Sequence, residues 1–167
     1  MYRSAWVGAL LALALVGCAP KEAPVASAPA VDTAAVMAGV ADMWARWAVA
    51  DTAENLPAIM EMMAENVRLD IKGFPPMLGR EAALAVFQPV YAQVDYTALV
   101  MSPETTVAIS NDLAHQTGTF TETYTMKGKP GTMTDHARYA AAMVRGADGQ
   151  WRVAYMMGMV DSTVTAK

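Results

Sequence analysis

Apolar and polar residues along this chain follow two periods in succession, a helical one first and a strand-like one afterwards. Val36, Val40, Met43, Trp44 and Trp47 recur at spacings of four, three, one and three. That is one face of an amphipathic helix running to about Ala50. Asp32 and Thr33 stand just ahead of it as N-cap residues. Asp51-Thr52-Ala53-Glu54-Asn55 breaks the pattern, and a short second helix is expected over about Leu56–Ala64, with Pro57 tolerated in its first turn. Val67-Arg68-Leu69-Asp70-Ile71-Lys72 alternates apolar and charged, which predicts a strand with one wet face. Gly73-Phe74-Pro75-Pro76 turns the chain. A third helix is expected over about Glu81–Gln93, its inner stripe Leu84, Phe87, Val90 and Tyr91, kinked or shortened by Pro89.

From Tyr96 onward the pattern is that of strands: Tyr96–Met101, Thr105–Ser110, Leu113–Met126, Thr132–Arg145 and Gln150–Asp161. Ala147-Asp148-Gly149 between the last two is a hairpin signal. Alternation puts Trp151, Val153, Tyr155, Met157 and Met159 on one face of the last strand. Arg152, Ala154, Met156, Gly158 and Val160 take the other. Gly118, inside the longest strand, marks a bulge or bend. The order predicts an α+β domain, a curved, mainly antiparallel sheet packed on about three N-terminal helices.

The N-terminus changes the reading of the composition, which is 54% hydrophobic over 167 residues. After Met1-Tyr2-Arg3-Ser4, the apolar run Ala5–Val16 is too short to span a bilayer. It ends in Leu15-Val16-Gly17-Cys18, which resembles a bacterial lipobox with Cys18 as the lipidated residue. Residues 1–17 are then a signal peptide, and 18–31, rich in Ala and Pro, a tether reaching about 40 Å at roughly 3 Å per residue. Ala19 after the cysteine implies, by the same resemblance, an outer-membrane lipoprotein facing the periplasm. Cys18 is the one cysteine in the chain, so the mature protein has neither a disulfide nor a second thiol. Loss of Arg3 with the leader leaves it one unit more acidic than the precursor's −4. No basic run stands out, so nucleic acid is not an expected partner, and membrane attachment rests on the lipid.

Several joints of the chain resemble the SnoaL-like, nuclear-transport-factor-2-like superfamily. They are Ala48-Val49-Ala50-Asp51, Met63-Ala64-Glu65-Asn66-Val67, Gly79-Arg80-Glu81-Ala82, Asn111-Asp112-Leu113-Ala114 with Gly118, and Asp148-Gly149-Gln150-Trp151-Arg152-Val153. The resemblance covers about 36–161 and implies a cone-shaped α+β barrel over residues 32–161, leaving 162–167 as a tail. It implies dimerisation through the outer sheet face in many members. It does not fix a function, since the superfamily contains isomerases, dehydratases, epoxide hydrolases and polyketide cyclases. Against the ketosteroid isomerase-like pattern, Ile71 falls where the base would be and Met43 where the tyrosine donor would be.

Proton-transfer chemistry in such a cone needs a carboxylate or His inside it, plus a donor for developing charge. The acid–base candidates are Glu122, Asp70 and His136. Asp135 and His136 adjoin in sequence, but strand neighbours point to opposite faces and cannot pair. Ala114, Gln116, Gly118, Phe120, Glu122 and Tyr124 share one face, taken as inner, opposite a run of threonines. Trp44, Trp47, Gln116, Phe120, Tyr139, Trp151 and Tyr155 are the expected lining of a ligand pocket between the first helix and the sheet. The 14 methionines raise the question of Cu(I), but flexible core filling is the commoner use of Met. Two histidines without ligand spacing give no zinc site, so neither a metal nor a cofactor is expected. Ala140, Ala142 and Val144 on one arm of the hairpin, with Ala154, Met156, Gly158 and Val160 on the other, are expected on the outer face and point to a homodimer.

Three functions fit these residues. The first is a non-catalytic lipoprotein domain that binds a small apolar or amphipathic molecule. The second is a lyase, isomerase or hydrolase using a pocket carboxylate or His. The third is a structural or assembly domain whose pocket is filled by its own side chains.

Overall fold

The computed structural model describes residues 30–166. The expected signal peptide, Cys18 and nearly all of the tether lie outside the described residues. The chain runs α1 (Thr33–Thr52), α2 (Leu56–Glu61), β1 (Met63–Ile71), β2 (Met77–Leu78), α3 (Gly79–Tyr91), β3 (Val94–Ser110), β4 (Leu113–Met126), β5 (Thr132–Arg145) and β6 (Trp151–Ala166). One mixed six-stranded sheet has the order β2-β1-β6-β5-β4-β3. β1 runs parallel to β6 and every other pairing is antiparallel. The helices cover the concave face, and the sheet is bent into an α+β cone without closing on itself.

The first two helices start where local chemistry allows. Asp32 accepts from the Ala35 N–H at 3.0 Å and caps α1. Asn55 does the same for α2 through Ala58, with Pro57 in the first turn. All five residues of the predicted α1 stripe are buried. α2 is shorter than its sequence suggests, because Met62, Met63 and Ala64 pass directly into β1 and bury there. α3 ends at Tyr91, two residues after Pro89, which cannot donate to the Ala85 carbonyl. Its packed side chains are Ala82, Ala83, Val86, Phe87 and Tyr91, whereas Leu84 is 37% exposed. The inner stripe is thus rotated from the predicted one.

The two strands predicted on either side of Pro103 are one edge strand, β3, with an extra residue at Glu104 between the Pro103–Gly118 and Thr105–Thr117 pairs. Proline fits there because an edge strand has one unpaired side. Gly118 faces this bulge. A β-carbon on it would stand 2.5 Å from the Ser102 carbonyl oxygen and 2.8 Å from the Pro103 Cα. The glycine is therefore required by the approach of a second backbone.

A second bulge overturns the expected faces of β6. Met143 pairs with Val153 and Ala142 with Tyr155, leaving Ala154 as the extra residue. Trp151 and Val153 point into the core as expected. Beyond the bulge the alternation inverts. Met156 and Gly158, paired with the core residues Ala141 and Tyr139, turn inward. Tyr155, Met157 and Met159 turn outward, and Met157 is 47% exposed. The outer face from which dimerisation was expected therefore carries Ala140, Ala142 and Val144 with Tyr155, Met157 and Met159. Met156 and Gly158 do not belong to it.

Because the atoms facing Gly118 are backbone, Gly118→Ala should destabilise the domain by about 1–3 kcal/mol. Thr119→Ala, one residue along on the exposed face, should stay within about 0.5 kcal/mol. Urea denaturation of the two variants checks this, and equal midpoints would refute it.

Candidate functional site

Most of the residues expected to line a pocket are packed in the core instead. Gln116 is buried on β4, and its Oε1 accepts from Trp44 Nε1 on α1 and from the Tyr139 hydroxyl on β5, each at 2.7 Å. Its Nε2 donates to Thr106 Oγ1 on β3 at 2.8 Å. Trp44 also packs edge-on against Tyr139 and tilted against Trp47. Burial pushes the Tyr139 hydroxyl up to about 12, so it remains a donor. Trp151 is buried against α1, its indole filling the space where Gly39 has no side chain. Phe120 is half-buried beside Tyr139 on the same concave face. Tyr155 is on the other side of the sheet, carried there by the Ala154 bulge.

The acid–base candidates divide in the same way. Asp70 is on the outer face in an exposed pair with Arg68 at 2.9 Å, which holds its carboxyl below the usual range. His136 is exposed on the outer face, opposite Thr121 and Ser162. Glu122 faces inward, paired across the ladder with Asp135 on β5 and with Leu99 on β3. Burial pushes the Glu122 carboxyl up to about 8, and the charges of Asp51 and Asp135 add to the effect.

Asp51 is the partner that the sequence pattern did not offer as chemistry. It closes α1, where an acid reads as a stop signal, yet it is 2% exposed. It falls seven residues after Trp44 and four after Trp47, so it continues the buried stripe of α1. Extending that stripe one more turn is the signal that finds it. The Tyr91 hydroxyl at the end of α3 donates to Asp51 Oδ1, while Oδ2 is buried without a hydrogen-bond partner. Burial raises the Asp51 carboxyl to about 6, with the Tyr91 hydrogen bond opposing. The negative end of the α1 dipole also disfavours the anion.

Tyrosines continue the cluster. Tyr91 and Tyr96 have ring centroids 4.9 Å apart, and Tyr96 and Tyr124 are 5.8 Å apart. Burial raises the Tyr91 and Tyr96 hydroxyls far above their ordinary value, so both stay protonated donors. Asp135 accepts from Thr163 Oγ1 at 2.6 Å. Ile71, Phe87, Leu99, Met101 and Met156 are half-buried apolar neighbours on the helix-covered side. Two proton-retaining carboxyls and three tyrosines are thus grouped at one end of the helix-covered side of the sheet. Among the described residues no group of three or more His, Cys, Asp or Glu is placed to hold a metal ion.

The SnoaL-like domain family matches residues 32–157. The chain belongs to the SnoaL-like family. Its fold is shared with a ketosteroid isomerase-like protein from Erwinia carotovora atroseptica, at 19% identity over 77% of this chain and 95% of that one, TM-score 0.64. It is shared with the hexachlorocyclohexane dehydrochlorinase LinA-type3 from Novosphingobium barchaimii, at 14% identity over 80% and 91%, TM-score 0.63. A candidate scytalone dehydratase from Novosphingobium aromaticivorans is similar at 11% identity over 78% and 87%, TM-score 0.67. No curated protein sequence matches the chain. At these identities the SnoaL-like likeness establishes the fold and leaves the chemistry to the residues.

Both carboxyls bind their protons more tightly in the folded domain than in the unfolded chain. The folded state therefore holds more protons between about pH 4 and pH 8, and stability falls as pH rises through that window. Glu122→Gln removes the larger share of the effect. Urea unfolding should show the variant more stable than the parent by on the order of 2–3 kcal/mol at pH 8 and unchanged at pH 4. An unchanged difference across that range would refute the assignment.

Proposed function

We propose that the SnoaL-like domain binds a small, partly apolar molecule on the concave face and transfers a proton on it, as a lyase or isomerase does. The observation that carries this reading is the pairing of Asp51 and Glu122. Two carboxyls at the same end of the cone retain protons to about 6 and about 8. Near neutral pH one is mostly a base and the other mostly an acid, the division of labour that proton transfer needs. Asp51 Oδ2 has free lone pairs, and Tyr91 fixes the other oxygen. Tyr96 and Tyr124 are the donors best placed to meet charge developing on the molecule. The enzymes of similar fold support this class of chemistry by analogy only.

Non-catalytic binding between α1 and the upper sheet has less support, because Trp44, Gln116 and Tyr139 already satisfy one another there. The domain's setting is part of the same proposal: a lipid on Cys18 holds it at the periplasmic side of the outer membrane. Cys18→Ser should move the protein from the membrane pellet to the soluble fraction, and continued sedimentation with membranes would exclude the lipid.

Proton transfer has a direct readout that needs no product. The full chain is incubated in D₂O with small hydroxyketones and enones, and loss of the C–H signal next to the carbonyl is monitored by NMR. Exchange should be catalysed by the parent and fall by about 10²-fold or more in Asp51→Asn. The profile should be bell-shaped, with limbs near pH 6 and pH 8 for the free enzyme. If exchange is catalysed equally by Asp51→Asn, Asp51 is not the base. Native mass spectrometry that finds a retained metabolite, with no exchange on any compound, would leave a binder without chemistry.

A further inference from the structure

We propose that the molecule taken at the Asp51–Glu122 end of the cone is a cation, a small organic ammonium carrying at least one N–H. This deepens the reading of that surface as a small-molecule site and rests on it. Carboxyl groups from three elements converge there: Asp51 from α1, Glu122 from β4 and Asp135 from β5. Glu122 feels the other two as like charge, which adds to burial in driving its carboxyl upward. The basic group at the rim is Lys127, but it is already shared between Glu54 at 3.0 Å, Asp95 at 3.3 Å and the Tyr91 carbonyl. Arg68 and Arg138 are engaged on exposed carboxylates, Asp70 and Asp161. None of these cations compensates the inner cluster.

Two further observations turn an acidic cluster into a site for a donor. First, Asp51 Oδ2 is buried and has no partner, although Asp51 is 2% exposed. An anionic oxygen in that state is costly until something donates to it. The nearby hydroxyls do not supply the bond: Tyr91 donates to the other oxygen. Second, Tyr91, Tyr96 and Tyr124 form a continuous aromatic wall, with centroid separations of 4.9 and 5.8 Å. The faces of such rings attract a cation. An ammonium at this end of the cone would supply the donor that Oδ2 lacks and bring its charge among the three carboxyls. A neutral alcohol could make the hydrogen bond but would leave the charges uncompensated. An anion would be repelled.

Ionic binding of this kind is linked to protons. The ligand favours the ionised forms of Asp51 and Glu122, so binding expels protons and tightens as pH rises. Tyr91 on α3, Tyr96 on β3 and Tyr124 on β4 stay neutral across this range; Asp135 on β5 faces Glu122, Thr163 on β6 has no titration there, and Glu54, Asp95 and Lys127 are the charged groups at the rim. The pH dependence therefore belongs to the two carboxyls.

Calorimetry on the full chain tests this with benzylamine and benzyl alcohol, molecules of nearly the same shape of which only the amine is charged. At pH 8 benzylammonium should bind at least about ten-fold more tightly and release protons, seen as a heat that depends on the buffer. The advantage should shrink several-fold at pH 5.5. Asp51→Asn, which keeps the Tyr91 hydrogen bond, should bring the two ligands to parity, and Glu122→Gln should weaken the amine alone. Equal or tighter binding of the alcohol would overturn the cation while leaving the site reading intact. So would an advantage that survives both substitutions. Failure of both ligands to bind overturns the inference too, and the D₂O exchange then decides whether the site reading falls with it.

Discussion

The fold depends on how one carboxamide is shared. Gln116 takes hydrogen bonds from a helix and from a neighbouring strand, and gives one to the edge strand. A buried amide must be satisfied, and here its partners come from α1, β3 and β5. The bond to Trp44 fixes the rotation of α1 against the sheet. With that rotation set, the helical period leaves no choice further along: Trp47 one turn on and Asp51 two turns on must also face inward. The acid is therefore buried by the geometry of the helix that carries it, and the site inherits its placement from a hydrogen bond some two turns away.

That arrangement is held against a local cost. A carboxyl in the last turn of a helix meets the negative end of the helix dipole and loses water as well. The surroundings offset part of this through the Tyr91 hydroxyl, which arrives because Pro89 ends α3 where it does. Buried groups left in conflict with their environment cluster at functional sites more often than elsewhere. Among the buried side-chain polar atoms of the described residues, Asp51 Oδ2 is the one without a partner.

Most of the architecture was legible in the pattern of residues, because helix stripes and strand alternation are properties of neighbours. Val36 to Trp47 and the inward set Ala114, Gln116 and Gly118 read directly. What failed to read were features that depend on a partner far along the chain. The Ala154 bulge leaves no mark in an unbroken run of apolar residues, yet it reverses the facing of Tyr155, Met157 and Met159. Pro103 reads as a break, but an edge strand tolerates it. Asp51 reads as a helix stop, and only its spacing from Trp44 and Trp47 reveals a buried acid. Glu122 could be placed inward by parity. Its proton affinity could not, since that comes from burial under distant elements and from Asp51 and Asp135 across the fold.

The length and direction of α1 have a consequence for how the molecule meets its surroundings. The chain enters at Asp32, whose N–H is tied to Asn111 in the β3–β4 turn. Asp51 is at the other end of a twenty-residue helix, about 30 Å away at 1.5 Å per residue. Anything that grips the chain ahead of residue 30 therefore holds the cone by its far end. The end of the cone that carries Asp51 and Tyr91 is then the one remote from that grip.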